Sequence, residues 1–325
     1  MCRSYNRVRD PAIAALDTHM RVLLTGGAGF IGSHTAEALL EAGADVVIFD
    51  NFSAGRRNNL PRHARLRVVE GDLRERDAVA AAMDGCTHVL NLAAQISVPL
   101  SIEQPGNSAH HNVAGFANVL DCARHAGVER VVFASSAAVY GQPQAVPLTE
   151  ESPTRPMSPY GLEKLVNEQQ AALFERLFGL SAVGLRYFNV YGPRQDPASQ
   201  YAGVISRFAS RLLADEPLTV FGDGLQTRDF VFVKDVARVN VRALTSRETG
   251  YCNVGTGRSV TLLELIDALA ACAGRTPQIT FGPPAVGDIR ESAMTPQRMR
   301  GWFGGFETVS LTAGLAALLE WMRAA

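Results

Sequence analysis

The chain has 325 residues, of which 47% are hydrophobic and 19% charged, and its formal net charge is −1. This length allows one large domain or two interlocked ones, and the composition is that of a folded globular protein. A nearly neutral chain offers no basic surface for nucleic acid, so no nucleic-acid partner is expected. No run of 18 apolar residues occurs, so we expect no membrane span and a cytoplasmic location.

The N-terminal residues show no signal-peptide pattern, and the cysteines show no metal-binding pattern. Residues 1–19 carry charge but lack the apolar core of a signal peptide, which predicts an N-terminal extension. The cysteines are odd in number, widely scattered and form no CxxC pair: Cys2, Cys86, Cys122, Cys252 and Cys272. We therefore predict reduced thiols, without a disulfide framework or a metal site.

From residue 20 onward, short apolar segments alternate with helical patterns. Strands are predicted at 21–25, 46–49, 66–69, 88–92, 130–134 and 182–186, and helices at 31–41, 77–83, a long stretch ending near 125, and 159–178. Alternation of this kind predicts an α/β fold, a Rossmann-type doubly wound parallel sheet with helices on both faces.

The composition and the predicted elements change in the second half of the chain. Residues 191–228 hold glycine, proline and polar residues around one predicted helix at 204–213, and a helix after Thr261 and a closing helix at 311–323 follow. These segments predict a smaller mixed α/β substrate-binding domain. The predicted division is 20–188 plus 229–257 for the Rossmann domain and 189–228 plus 258–325 for the substrate-binding domain.

A glycine cluster follows the first predicted strand. Gly26, Gly29 and Gly32 allow a tight strand-to-helix turn and a close backbone approach to a pyrophosphate at the helix N-terminus. The spacing is not GxGxxG, and a plain loop is the alternative interpretation. The strand before it and the helix after it favour phosphate binding.

Two acidic residues follow the next predicted strands. Asp50 comes 21 residues after Gly29, a position suited to hydrogen bonds with the adenosine ribose hydroxyls. A carboxylate there would repel a 2′-phosphate, which favours NAD over NADP. Asp72 is placed either to meet the adenine amino group or to act as a helix N-cap, and the sequence leaves both open.

A tyrosine and a lysine lie four residues apart on one face of the helix predicted from Pro159. A free tyrosine ionises near pH 10, and the ammonium of Lys164 is expected to lower the pKa of Tyr160. Ser136, at the exit of the strand at 130–134, offers a hydroxyl for a substrate oxygen, or it is simply a turn serine. Together the three residues predict a proton-transfer site.

Nine motifs appear in chain order: TGGAGFIGSH, DNFS at 50–53, GDL at 71–73, NLAAQISV at 91–98, SSAAVYG at 135–141, SPYGLEK at 158–164, RYFNVYGP at 186–193, GDGLQTRDFVFVKDVA at 222–237 and NVGTG at 253–257. From Met20 onward the chain resembles the extended short-chain dehydrogenases of the NAD-dependent epimerase/dehydratase family. Within that family it is most similar to UDP-glucose and UDP-N-acetylglucosamine 4-epimerases.

The resemblance implies a set of NAD contacts: Gly26, Gly29, Phe30, Ile31, Asp50, Asn51, Ser53, Asp72, Leu73, Ala93, Ala94, Gln95, Tyr160, Lys164, Tyr187 and Phe188. It implies catalysis by Ser136, Tyr160 and Lys164, and no metal. The substrate contacts that it implies are Gln95, Ser136, Asn189, Val204, Phe221, Arg228, Arg290 and Ser292. For Arg228, an ion pair with Asp229 is the alternative.

One departure from the family pattern concerns the diphosphate. Ala285 stands where the family's usual arginine precedes Pro-Gly-Asp, and the local sequence reads Ala285-Val286-Gly287-Asp288. Either one diphosphate contact is missing or Arg290 supplies it.

The residues around Ser136 favour epimerisation over related reactions. Families that eliminate water or carbon dioxide carry an acidic residue one or two places after this serine, whereas here Ala137 and Ala138 follow. C4 epimerisation needs only Ser136, Tyr160, Lys164 and NAD. The alternatives are another NAD-dependent nucleotide-sugar oxidoreductase, a UDP-uronic acid epimerase, or a non-catalytic NAD-binding regulatory protein.

The preferred sugar and the assembly are expected from the resemblance. Ser292 falls where glucose/galactose-restricted relatives have a tyrosine beside the C2 substituent, so we expect UDP-GlcNAc/UDP-GalNAc, with UDP-Glc/UDP-Gal also used. The motif from Tyr187 to Pro197 and the residues Tyr201 to Ile205 also resemble N-acetylhexosamine epimerases. A homodimer is expected through the helices at about 107–125 and 159–178, where small residues could allow close approach: Ala114, Ala117, Ala123, Ala171 and Ala172.

Overall fold

The computed structural model describes residues 16–17, 19–197, 203–284 and 289–324. The strands are β1 Arg21–Thr25, β2 Asp45–Asp50, β3 Leu66–Glu70, β4 His88–Asn91, β5 Arg130–Ser136, β6 Ala182–Tyr187, β7 Asn189–Tyr191, β8 Leu218–Phe221, β9 Thr227–Phe232, β10 Gly250–Val254, β11 Ser259–Thr261, β12 Ile279–Gly282 and β13 Glu291–Ser292. The helices are α1 Phe30–Ala42, α2 Arg76–Met83, α3 Val98–Glu103, α4 Pro105–Ala109, α5 Gly115–His125, α6 Pro159–Phe178, α7 Val204–Leu213, α8 Val233–Thr245, α9 Leu262–Ala273, α10 Gln297–Phe303 and α11 Leu311–Ala324.

Seven strands form one sheet in the order β3-β2-β1-β4-β5-β6-β10, and every neighbouring pair is parallel. The predicted doubly wound, Rossmann-type class is confirmed. The strand order reverses direction between β1 and β4. In open sheets of this kind, ligands bind outside the carboxyl ends of the strands at such a switch point.

Helices cover both faces of the sheet, which explains why its central strands are apolar throughout. Leu23 and Leu24 are neighbours in β1 and so point to opposite faces, yet both are 0% exposed. Leu24 packs in the core that α1 and α8 share, whereas Leu23 packs in the core formed with α2, α5 and α6. Each of these continuous apolar runs was visible in the sequence.

Another core, away from the main sheet, lies between α7, α9 and α11, where Leu212, Leu265 and Leu318 are buried. Beside it β7, β9, β11 and β13 form a small mixed sheet, and β8 pairs with β12. The prediction of a single helix between 191 and 228 is therefore incomplete, since β8 and the start of β9 also lie there. These strands have six residues or fewer and are only partly buried, so no long apolar run marks them.

The long helical stretch predicted to end near residue 125 ends at His125 but is divided. It consists of α3, α4, a π-helical turn over His110–Ala114, and α5. A new helix begins at Pro105, which lacks the amide hydrogen that a continuous helix would need. π-helical turns are often found at functional sites.

The prediction that Ala123 and Ala171 contact a second copy of the chain is wrong. Ala123 is 0% exposed and Ala171 is 4% exposed, because both pack in the core under α5 and α6. Ala114 and Ala172 are exposed.

Among the described helices, none is both long and apolar enough to cross a membrane. The four cysteines within the described ranges are free thiols.

Candidate active site

The loop between β1 and α1 has the geometry of an anion cradle. Gly26 has a φ of +67°, and a Cβ atom there would lie 2.6 Å from the backbone nitrogen of Ala93. A Cβ atom on Gly32 would lie 2.1 Å from the carbonyl oxygen of Gly26. Helix α1 then begins without a side-chain cap or an acidic residue in its first turn. Its first amide groups and the positive end of its dipole therefore suit a phosphate.

Asp50 joins the end of β2 to this loop. Its carboxylate accepts hydrogen bonds from the backbone nitrogens of Ala28 and Phe52, both at 2.9 Å. The side chain is 7% exposed, so a ligand over the glycine loop would meet a fixed negative charge. A fixed carboxylate of this kind favours ribose hydroxyls over a 2′-phosphate.

Asp72 is held in place by its neighbours rather than by a helix. The Arg74 guanidinium donates to both carboxylate oxygens at 2.8 Å, and Asn51 donates at 2.9 Å. The hydrogen bonds from Arg74 are the main cause that holds the pKa of Asp72 far below its usual range. The alternative role as a helix N-cap is wrong, because α2 begins at Arg76 with Glu75 as its N-cap.

The other residues expected to contact NAD lie along the same carboxyl edge. Ser53 donates to the side chain of Asn51, and the backbone nitrogen of Ala93 donates to Thr25 Oγ1 at 3.2 Å. Leu73 packs against Gly115, and Phe30 and Ile31 form the first turn of α1.

Tyr187 and Phe188 are more enclosed than a contact with a nicotinamide ring would suggest. Tyr187 is 8% exposed and donates its hydroxyl proton to Asn240 Oδ1 at 2.6 Å, whereas Phe188 is 5% exposed. Tyr187 is the register partner of Ser136 in the sheet. A ligand can reach these two residues only through the small part of each that is exposed.

Ser136, Tyr160 and Lys164 meet at the carboxyl end of β5. Ser136 ends that strand, and its hydroxyl acts to lower the pKa of Tyr160. Helix α6 presents the other two, and it begins as predicted, with Ser158 accepting from the Gly161 nitrogen at 3.1 Å. The Lys164 ammonium lies 5.7 Å from the centre of the Tyr160 ring.

The pKa values correct one expectation about this group. Burial is the main cause that raises the pKa of Tyr160, and the Ser136 hydroxyl acts in the opposite direction. The Lys164 ammonium donates to the Ala134 carbonyl oxygen at 2.9 Å. Burial also lowers the pKa of Lys164 to about 8. Burial therefore disfavours the charged form of both side chains.

Glu163 was not predicted as a site residue; it is a 4% exposed carboxylate that lies between Tyr160 and Lys164 in the sequence of α6. Its Oε2 atom accepts from Ser108 Oγ at 2.9 Å and from Asn112 Nδ2 at 2.6 Å. Its charge raises the pKa of both Tyr160 and Lys164. A residue three positions after Tyr160 lies on the same helix face, so this spacing was the available signal.

Gln95 belongs to the same network. Its backbone nitrogen donates to Asn112 Oδ1 at 2.8 Å, and its side-chain nitrogen donates to Ser97 O at 3.1 Å and to Ser108 Oγ at 3.2 Å. Asn112 lies in the π-helical turn. Through Asn112, the π-helical turn is hydrogen-bonded both to the loop after β4 and to Glu163 in α6, the helix that carries Tyr160.

A cavity of about 520 Å³ lies between α7, the small sheet and β8. Its size is that of a small-molecule site. It is lined by Asn189, Val204, Arg207, Phe208, Arg211, Thr219, Phe221, Gln226, Arg228, Phe230, Val260 and Leu262. Four residues expected to bind substrate are among them: Asn189, Val204, Phe221 and Arg228.

Arg228 is held against the backbone, with Nη1 donating to the carbonyl oxygens of Thr227 at 2.7 Å and Ile289 at 2.6 Å. The Asp229 carboxylate instead accepts from Thr256 and Gly257. The alternative ion pair between Arg228 and Asp229 is thus not among the contacts of the described residues.

Arg290 and Ser292 are not part of the described cavity lining. Arg290 donates to both carboxylate oxygens of Asp223, at 2.6 and 2.9 Å, so it is engaged elsewhere. Ser292 is 8% exposed and is the register partner of Arg228 in the small sheet. Ala285 to Asp288, Tyr201 and Ala202, Cys2 and residues 1–15 lie outside the described residues.

A larger concave region of about 870 Å³ lies at the opposite edge of the main sheet. It is lined by Met20, His88 and Glu129, which lie at the amino ends of β1, β4 and β5. Ligands of doubly wound sheets bind at the carboxyl ends, so we assign the active site to the other edge. The described residues contain no group of three or more His, Cys, Asp or Glu side chains able to hold a metal ion.

A glycine cradle at a switch point, a buried carboxylate at the end of β2 and a Ser-Tyr-Lys group are typical of dinucleotide-dependent enzymes of the extended short-chain dehydrogenase class. The model of the "NAD dependent epimerase/dehydratase family" matches residues 22–255. The chain belongs to this family, and its cofactor is NAD.

Similar proteins cover nearly the whole chain. The UDP-glucose 4-epimerase of Mycolicibacterium smegmatis is 39% identical over 94% of this chain and 99% of its own. A Thermus thermophilus UDP-glucose 4-epimerase in complex with NAD has a TM-score of 0.85 at 40% identity, covering 94% of this chain and 100% of that one. A UDP-N-acetylglucosamine 4-epimerase from Methanobrevibacter ruminantium, in complex with UDP-N-acetylmuramic acid, has a TM-score of 0.90 at 33% identity, covering 94% and 98%.

Proposed function

We propose that the protein is an NAD-dependent UDP-sugar 4-epimerase that acts through a transient 4-keto sugar. UDP-GlcNAc and UDP-GalNAc are its preferred pair, with UDP-Glc and UDP-Gal as further substrates. The observation that carries this proposal is the meeting of Ser136, Tyr160 and Lys164 at the carboxyl end of β5, where the Lys164 ammonium lies 5.7 Å from the centre of the Tyr160 ring. Ala137 and Ala138 follow Ser136 and cannot transfer a proton, which disfavours dehydration and decarboxylation.

The described residues fit the cofactor. The glycine loop and the start of α1 would hold the pyrophosphate, and Asp50 would accept hydrogen bonds from the adenosine ribose. When bound, NAD supplies a positively charged ring that accepts a hydride from C4 and returns it to the opposite face of the sugar.

The protein's own part in the reaction is to move one proton and to orient the sugar. Tyr160 takes the proton of the 4-hydroxyl and later returns it, and Ser136 hydrogen-bonds the same sugar oxygen. Lys164 holds a positive charge near the phenol, and Glu163 supports that charge by raising the pKa of Lys164. The half-buried position of Tyr160 limits the access of water to the reacting oxygen.

The 520 Å³ cavity is proposed as the nucleotide site, with Asn189 and Arg228 as contacts of the diphosphate-sugar. Its walls include α7, β8 and β11, which come from segments 189–228 and 258–325. We therefore retain the division in which these segments bind substrate and 20–188 plus 229–257 bind NAD.

Two features of the strand that contains Ser292 support the proposed N-acetyl preference. It pairs in register with Arg228, which lines the cavity. Two residues further on, Met294 packs with Val139 and Tyr140, three and four residues after Ser136. A small side chain at position 292 would leave room for a sugar with a large C2 substituent.

Replacing Ser292 by tyrosine is expected to reduce kcat/KM for UDP-GlcNAc far more than for UDP-Glc. The phenol would occupy the space of the N-acetyl group. Parallel kinetics on both substrates measure the ratio, with Ser292→Ala as the matched control that keeps the space open. Equal losses on both substrates would show that Ser292 does not face the sugar.

Incubation of the purified protein with UDP-GlcNAc, without added NAD, tests the function directly. NMR should show conversion to UDP-GalNAc, because an epimerase keeps its cofactor and returns the hydride. Net formation of an oxidised sugar with release of NADH would instead identify a dehydrogenase.

A homodimer is also proposed, and the surface of α6 supports it. Leu162, Leu173 and Leu177 are 53%, 40% and 59% exposed, and their spacing places them on one side of the helix. Exposed apolar patches of this kind often mark interfaces between subunits. The patch replaces Ala123 and Ala171 as the expected contact.

Replacing Leu173 by glutamate is expected to convert the dimer to a monomer at micromolar concentration. A charge buried in an apolar contact between two copies would be strongly unfavourable. Light scattering reports the mass, and Glu175→Ala on the same helix is the control. Wild-type protein that is monomeric at micromolar concentration would argue against the dimer itself.

A further inference from the structure

The substrate cavity has a positively charged wall that the sequence motifs do not include. Helix α7 lines the cavity with Val204, Arg207, Phe208 and Arg211. Their spacing of three, four and seven residues places them on one helix face. Arg228 lines the same cavity from β9.

Among the arginines of this wall, Arg207 has no carboxylate beside it within the described residues. Three arginines line it, and the described lining contains no aspartate or glutamate. Arg211 has a neighbouring carboxylate, Glu216, at 3.5 Å. Arg207 is exposed, and within the described residues its guanidinium forms no ion pair and no hydrogen bond.

A guanidinium directed to a cavity without a counter-charge is suited to an anionic ligand. Its planar set of donors matches two phosphate oxygens at once. The diphosphate is the only charged part of UDP-GlcNAc or UDP-Glc, since the uracil and the sugar are neutral. The unpaired arginine therefore has one matching group in the proposed substrate.

We infer that Arg207 binds the diphosphate of the nucleotide sugar, together with Arg228. This inference rests on the proposed function, because it takes a UDP-sugar as the ligand. The N-terminus of α7 supports the assignment, since Val204 lies in the cavity and the first turn contains no acidic residue. Arg207 thus sets the affinity for the nucleotide and takes no part in proton transfer.

The test compares UDP with uridine, because the two ligands differ only in the diphosphate. Isothermal titration with the NAD-containing protein measures both affinities for wild type, Arg207→Met and Arg207→Lys. We expect Arg207→Met to weaken UDP binding by about 10- to 100-fold, the effect of losing hydrogen bonds to a charged group. Uridine binding should stay within about threefold, and Arg207→Lys should recover part of the UDP affinity.

Arg300→Met is the matched control, because Arg300 is an exposed arginine on α10, outside the cavity. It should bind UDP as the wild type does. Unchanged UDP binding in Arg207→Met would overturn the inference, and so would equal losses for UDP and uridine. If the wild type binds UDP and Arg207→Met weakens it, but no epimerisation occurs, the inference holds and the proposed function fails.

Discussion

Replacing Tyr160 by phenylalanine is expected to lower kcat by about 10²- to 10⁴-fold, the usual contribution of a positioned acid–base group. The ring stays in place, so the packing of α6 against β5 is preserved. NAD content and UDP affinity should therefore remain close to wild type. Ser136→Ala should cost less, because it removes a hydrogen bond to the sugar oxygen but leaves the proton carrier.

Tyr191→Phe is the matched control for this experiment. Tyr191 is a buried tyrosine that lies in the core between α7, α9 and α11, and within the described residues its hydroxyl donates to the Leu311 carbonyl oxygen at 3.3 Å. Its loss should leave kcat unchanged. Product formation is followed by NMR, and NAD is measured by mass spectrometry of the denatured protein. Near-wild-type turnover in Tyr160→Phe would refute the role of Tyr160.

The main sheet could be predicted because its strands share one sequence pattern, a short apolar run, which is repeated along the chain. Strands such as β1 and β6 are buried on both faces and leave uninterrupted apolar runs. The strands of the small sheet could not be predicted in the same way. In β9 buried and half-buried residues are mixed, and its partners β7, β11 and β13 have only two or three residues.

The catalytic group was predictable from spacing, but the electrostatics around it were not. Tyr160 and Lys164 are four residues apart in the sequence, and the helix brings them to one face. The sequence does not show that Lys164 donates to Ala134, or that Lys164 is buried whereas Tyr160 is half-buried. It also does not show that Arg290 is paired with Asp223, a contact between residues 67 positions apart.

A buried ionic network connects the elements that carry the catalytic residues. Arg186 in β6 is 1% exposed and donates to both carboxylate oxygens of Glu168 in α6, at 2.8 and 2.7 Å. Ser135, next to Ser136, also donates to Glu168 at 2.6 Å. The Arg186 guanidinium further donates to Tyr140 and stacks on Tyr251, 3.8 Å from the ring centre. Every partner is therefore positioned by the others.

Replacing Arg186 by methionine is expected to reduce the free energy of unfolding by about 3–5 kcal/mol. The methionine fills part of the space, but it leaves the Glu168 carboxylate buried without its positive partner. This loss of a counter-charge, rather than a loss of contact area, is the dominant cost. Urea unfolding followed by circular dichroism measures the change, and activity should fall as well because β5 and α6 lose a shared anchor.

The double variant Arg186→Met/Glu168→Leu separates charge from packing. If the isolated charge is the cause, removing Glu168 as well should restore much of the lost stability, since no buried ion remains. The control is Arg57→Met, which breaks the exposed pair with Glu70, whose side chains are 60% and 63% exposed. That change should cost no more than about 1 kcal/mol, as is usual for surface ion pairs. If the double variant is as unstable as Arg186→Met alone, the network stabilises the protein through its packing and the charge argument is wrong.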